Sequence, residues 1–161
     1  MAAFGGSVSS CQARPAGVVN AQGWAKPAEG PLTDGYGPRE TLCGPGGCSG
    51  GFHYGTDIGA ACDAPIYAAR AGTVVYAAPL GTYGHWILID HGNGLSSGYA
   101  HMFADGVLVK AGDTVKAGQN IGKVGTDGAS TGCHLHFELR VDGQRVDPDP
   151  LPYLANVGIT F

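Results

Sequence analysis

The sequence predicts a mainly β domain of short strands joined by many tight turns. Three observations lead there. Glycine supplies 29 of 161 residues, well above the usual ~7%. From Phe52 to Val146, short apolar or alternating runs are separated by turn signals. No segment sustains the apolar period of an amphipathic helix. Hydrophobic residues make up 43% of the chain, a globular content, so the glycines mark turns rather than a disordered tail.

The elements follow in order. Residues 1–35 are rich in Ala, Gly, Pro and Ser and read as a loosely structured N-terminal arm, pinned by Trp24 and Leu32. Residues 36–150 form the body. Its expected strands are Ile66–Ala69, Thr73–Ala77, Trp86–Asp90, Ser97–His101, Thr114–Val115, Ile121–Val124 and His134–Val141. Gly-rich turns such as His91-Gly-Asn-Gly94 and Asp142-Gly143 separate them. Asp147-Pro-Asp-Pro150 closes the body, and residues 151–161 are an extension expected to pack on it.

Charge excludes several partners. Net charge is −4 with a pI near 5.8 and no basic block, so nucleic acid is not an expected partner. No apolar run approaches the ~18 residues of a membrane helix, so no membrane insertion is expected, and the chain is expected to be a monomer. The start, Met-Ala-Ala-Phe-Gly-Gly-Ser, lacks the features of a secretory signal. The chain is therefore expected to be a mature segment, a piece of a longer protein, or one exported by another route.

Five cysteines are an odd number. Cys43 and Cys48 flank Gly-Pro-Gly-Gly, which can turn back on itself. Cys62 and Cys133 each lie beside a histidine-bearing segment, far apart in the chain. The expected pairs are Cys43–Cys48 and Cys62–Cys133, with Cys11 left over, which implies an oxidising compartment. The alternative is five reduced thiols, the middle ones buried.

Chemistry concentrates in three segments: His53-Tyr-Gly-Thr-Asp57, Tyr99-Ala-His101 and His134-Leu-His136. Imidazole and carboxylate are the ligands of a catalytic zinc. On a strand, Leu135, Phe137 and Leu139 share one face, which must be core, while His134, His136, Glu138 and Arg140 share the other. Only one of the two histidines need touch a metal. The same alternation puts Tyr99 and His101 on one face. His53 and Asp57 would stand about 13 Å apart on a straight strand, so the chain must bend between them, and Gly55 permits an unusual backbone angle. Taken singly, each segment is as well explained by a polar strand face or an ordinary hydrogen-bonded histidine.

Together, His-x-Gly-x-Asp, Tyr-Ala-His and Ser-Thr-Gly-Cys-His-Leu-His-Phe-Glu, in this order, resemble the lysostaphin-type zinc metallopeptidases, which are peptidoglycan endopeptidases of bacteria and their phages. The likeness spans about Asp34 to Pro148 and continues through Ala64-Pro-Ile-Tyr-Ala-Ala, Gly72-Thr-Val-Val-Tyr-Ala and Ile89-Asp-His-Gly-Asn-Gly94. It implies a mainly antiparallel β-sheet fold, sandwich or barrel-like, with a groove between long Gly-rich loops. It implies one Zn2+ ion held by His53, Asp57 and His136. His101 and His134 would be the catalytic histidines, one taking a proton from water, the other stabilising the oxyanion or protonating the leaving amine. His85 is a candidate for a groove wall, and His91 is expected to be structural.

The implied substrate is the stem or cross-bridge peptide of peptidoglycan, with Tyr36, Tyr54, Tyr83 and Tyr99 as candidate contacts. The implied setting is extracellular or virion-associated, for a phage lysin, a tail-associated enzyme or a secreted hydrolase. Two departures stand out: Gly98 where a larger apolar residue commonly precedes the tyrosine, and the Cys43–Cys48 insertion. Two rivals remain. One is a non-catalytic relative that binds cell wall or activates an amidase. The other is a lipoyl-like carrier module, which lacks here its lysine at a hairpin tip.

Overall fold

The computed structural model describes residues 14–41, 43–48, 50–144 and 149–161. Among the described residues there are thirteen strands, nine of them of two to four residues, as the turn spacing requires. In chain order they are β1 Leu32–Asp34, β2 Gly37–Pro38, β3 Cys43–Gly44, β4 Gly47–Cys48, β5 Phe52–His53, β6 Thr56–Ile58, β7 Pro65–Tyr67, β8 Gly72–Pro79, β9 His85–Gly92, β10 Leu95–Met102, β11 Thr114–Val115, β12 Asn120–Lys123 and β13 Leu135–Val141. Among the described residues, seven strands form one sheet in the order β1-β6-β13-β10-β9-β8-β11, and β12-β7, β2-β5 and β3-β4 form two-stranded ribbons. Every pairing is antiparallel. The sheet ends on β1 and β11 and does not close, so the barrel-like alternative gives way to an open sheet with flanking ribbons.

The long strands β8, β9 and β10 form a meander. The β9–β10 turn needs three successive positive-φ residues, Gly92, Asn93 and Gly94 (φ 88°, 53° and 79°), a backbone that glycine and asparagine accept at low cost. One sheet face carries the core. Val74, Ile87, Ile89, Tyr99, Met102, Leu135, Phe137 and Leu139 pack with Ile66 and Ile121 of the β7–β12 ribbon. Burying each large side chain contributes about 1.5–3 kcal/mol.

Part of the stretch read as a loose arm is integral to this body. Trp24, Ala25 and Ala28 are buried, and Leu32–Asp34 is an edge strand paired with β6. The C-terminal extension holds the α-helix of the described residues, α1 Pro150–Asn156. At seven residues it is too short to show a period in sequence. Asp149 caps it by accepting from the Leu151 amide, and Pro150 opens it. Leu154 and Ile159 anchor this end in the core.

The structure joins Cys43 to Cys48 and Cys62 to Cys133; Cys11 lies outside the described residues. The longer bond has a sequence separation of 71, worth about 4 kcal/mol by the chain-entropy account. It ties the segment after β6 to the segment before β13.

Candidate metal centre

The three sequence segments converge on the face of the sheet opposite the core. The register of the two central strands does most of this work. His136 on β13 lies directly across from Asp57 on β6 on one side and from Ala100 on β10 on the other. His53 comes from the separate β2–β5 ribbon, across from Gly37. The bend between His53 and Asp57 is real, but Gly55 serves it by close approach. A Cβ there would lie 2.4 Å from the Phe137 carbonyl oxygen and 2.9 Å from the His136 ring. Gly55 is absent from the positive-φ glycines, so space rather than an unusual backbone angle requires it.

The donor atoms form a tight triangle. Nε2 of His53 is 2.9 Å from Nδ1 of His136, and Oδ1 of Asp57 is 3.0 Å from each. All three side chains are buried. The far side of each ring is already committed. His53 Nδ1 donates to the Gly35 carbonyl at 2.7 Å, and His136 Nε2 donates to Glu138 Oε2 at 2.7 Å. When both rings are neutral, two nitrogen lone pairs and a carboxylate oxygen therefore face one another across 3 Å. Such a set is repulsive unless a cation or a shared proton lies among them.

A tetrahedral zinc with ligands at ~2.0–2.1 Å needs donor pairs roughly 3.3 Å apart, so the triangle fits after a small expansion. His53, Asp57 and His136 are the group that could hold a metal ion among the described residues.

Electrostatics agree with a site that wants positive charge. Burial pushes the Asp57 carboxyl up, but the histidines around it outweigh burial and hold it far below the usual range. Burial pushes His136 down, yet its bonds to Asp57 and Glu138 raise it to about 9.

His101 and His134 stand beside the triangle with ring centroids 4.7 Å apart. His101 does not follow strand alternation. The β10 register slips between Tyr99 and Met102, and His101 adopts φ 73°, which turns its ring to the metal face. Strain of this kind concentrates at functional sites. Tyr99 stays on the core face, packs against Phe137 and is fully buried. The shared face expected for Tyr99 and His101 is therefore corrected, and so is Tyr99 as a substrate contact. Its hydroxyl accepts from the Ala69 amide and bonds Ser97, and burial pushes it up to about 12.

Nδ1 of His101 donates to the Asp127 carbonyl at 2.7 Å, and Nδ1 of His134 donates to the Gly132 carbonyl at 2.9 Å. Each ring is left with a lone pair on Nε2. His134 Nε2 is 3.6 Å from Asp57 Oδ2. Burial, then the charges of His136 and His134, push His101 down to about 3, so it stays neutral.

Two clefts of about 420 and 330 Å³ open on the site and share Arg39, His101, Ala129 and His136. The larger is walled by Phe52, Tyr54 and Tyr83, and the smaller by Thr33, Ser130 and Thr131. Tyr54 and Tyr83 thus border the cleft. Tyr36 packs edge-on against Phe52 and lines neither cleft. His85 also lines neither; it bonds Asp127 Oδ2 at 2.7 Å. His91 bonds the Ala71 carbonyl and Ser97, a structural position.

Sequence reasoning missed several supporting residues. Glu138 was placed on the metal face by alternation without a role. Arg39 bonds Asp34 and lies 3.7 Å from Asp57 Oδ2. Asp127 and Gly132 orient the two histidines through backbone carbonyls, which no residue type can signal.

Comparison with known proteins adds a second line. The profile of peptidase family M23 matches residues 51–148. DD-carboxypeptidase/endopeptidase Mpg of Neisseria meningitidis is 40% identical over 97 residues, 60% of this chain and 22% of its own. The lipoprotein NlpD/LppB homolog of Pseudomonas aeruginosa is 39% identical over 133 residues, 82% of this chain and 40% of its own. This chain thus spans less than half of either curated relative. The catalytic domain of the antimicrobial peptidase lysostaphin from Staphylococcus simulans is similar with TM-score 0.69 and 34% identity, covering 78% of this chain and 92% of that domain.

Proposed function

The chain belongs to peptidase family M23, and we propose that it is a zinc-dependent endopeptidase that hydrolyses stem or cross-bridge peptides of bacterial peptidoglycan. One observation carries this reading: the 3 Å triangle of His53, Asp57 and His136, with two further histidines beside it. A binding-only role would place no demand on five such side chains around one point.

In this reading His53 Nε2, Asp57 Oδ1 and His136 Nδ1 hold the ion. A bound zinc would supply Lewis-acid polarisation of the scissile carbonyl and acidify a water molecule. The chain's own residues manage protons and position. Nε2 of His101 and Nε2 of His134 take the proton from the nucleophile and return it to the leaving amine, with each Nδ1–H anchored to a backbone carbonyl. Burial keeps His101 neutral at working pH, able to accept. The two clefts, which share Arg39, His101, Ala129 and His136, would receive the peptide, with Phe52, Tyr54 and Tyr83 as the apolar wall. Two disulfides are consistent with work outside the cytoplasm, and bacterial envelope lipoproteins among the relatives support the cell envelope as the location.

The test is a digest of defined muropeptides read by mass spectrometry, with and without a chelator. New amine and carboxyl termini that appear only in the metal-replete sample support the proposal. Wall binding with no cleavage at any zinc level would favour the non-catalytic alternative.

A further inference from the structure

Glu138 is the most deeply buried carboxylate near the site, with no solvent exposure. Removing a carboxylate from water is costly unless it is paired and hydrogen-bonded, so its partners must explain it. Oε2 accepts from His136 Nε2 at 2.7 Å and from the Tyr83 hydroxyl at 2.6 Å. Oε1 accepts from Arg140 Nε at 3.2 Å and its terminal nitrogen at 3.1 Å. Both oxygens are fully used, and one of the four bonds goes to a residue whose other ring nitrogen faces Asp57 and His53.

The support extends outward. Tyr83 stacks on Trp86 with centroids 4.2 Å apart and planes 19° apart. Arg140 lies over the same indole at 5.0 Å. Trp86 therefore backs both Tyr83 and Arg140, two of the three residues that bind Glu138. Room for the indole comes from Gly98, where a Cβ would fall 2.0 Å from Trp86 Cη2. The departure at Gly98 noted in the sequence is thus the complement of a tryptophan pillar.

Resting on the metallopeptidase reading, we infer that Glu138 and Tyr83 are positioning residues that keep the proton of His136 on Nε2 and so leave Nδ1 free for the metal. The Tyr83 hydroxyl holds Oε2 of Glu138 in line with the ring, and the Trp86 pillar holds Tyr83. A carboxylate behind a ligating histidine fixes its tautomer and raises its basicity, and loss of such a partner typically costs ~10–100-fold in metal affinity or activity. Because Tyr83 also borders the larger cleft, the same residue forms substrate wall and metal support.

The experiment measures Zn2+ affinity by chelator competition in wild type, Glu138→Gln and Tyr83→Phe, with no peptide present. Exchange of the His136 Nε2 proton is followed by NMR in the zinc-loaded proteins. Glu138→Gln should bind Zn2+ roughly 10–100-fold more weakly. Tyr83→Phe, which keeps the ring and its stacking, should shift in the same direction by about threefold to tenfold. The Nε2 proton should exchange faster in both. Affinities within twofold of wild type, with unchanged proton exchange, would overturn the inference. If Glu138→Gln does not fold, Tyr83→Phe decides alone. Wild type that binds no Zn2+ would overturn the parent function and this inference with it, whereas tight wild-type binding with unaffected variants would sink only the inference.

Discussion

The two halves of the site are built differently. Asp57 and His136 belong to facing strands of the main sheet, and their meeting is a consequence of register. His101 and His134 are placed by irregular backbone: a register slip with positive φ in one case, and the segment just before β13 in the other. Loop carbonyls of Asp127 and Gly132 then aim their rings. A metal site with two of its three ligands held by the sheet should tolerate disturbance of the loops around His101 and His134, and proton transfer held by those loops should not. Binding and turnover are therefore separable in this molecule.

The strongest challenge to that separation is His136→Ala. Zinc and activity should vanish together, with turnover down about 10³-fold or more, since a metal supplies several kcal/mol of catalysis. Full metal occupancy by elemental analysis in this variant would break the ligand assignment. Next come His101→Ala and His134→Ala. Each should keep stoichiometric zinc while turnover falls ~10²–10⁴-fold; zinc lost in step with activity would show that the two halves are one unit.

A pH titration sharpens the contrast without mutation. His136 in the metal-free protein is raised to about 9, so below that pH zinc must displace its proton. Apparent Zn2+ affinity should rise roughly tenfold per pH unit up to about pH 9 and then level off. A flat profile in calorimetry would mean that the triangle carries no proton to displace.

The smallest expected effect concerns the Cys43–Cys48 hairpin. Its Gly46 amide donates to the Gly128 carbonyl at 3.2 Å, and Gly44 abuts Ser130, in the loop whose neighbours hold both histidines. The double variant Cys43→Ser/Cys48→Ser should lose up to about tenfold in turnover, since small misplacements of catalytic groups are costly, and should keep its zinc. Unchanged kinetics would show that the hairpin only covers the loop.

Much of the site was legible because one strong alternation passes through it. Leu135, Phe137 and Leu139 alternate with His136, Glu138 and Arg140, and the structure puts the first set in the core and the second on the metal face. His101 shows where that logic stops. A single slipped residue reverses every side chain beyond it, so alternation put Tyr99 beside His101, and the structure separates them. Helix α1 was illegible for another reason: under two turns of chain carry no period. The opening stretch looked loose because its buried residues, Trp24, Ala25 and Ala28, are too sparse and small to make a pattern.

By itself, the sequence determined the inventory and its alternation: a β-rich chain with short spans, imidazoles and an acid in three places, and one strand with a polar face. These are local properties, set by residue type and the two-residue repeat of extended backbone. Only the tertiary structure decided which atoms meet. Strand register, the close approach at Gly55, the indole over Gly98 and the carbonyl behind His101 all join residues from separate segments of the chain. Their energies depend on distances that no single segment contains.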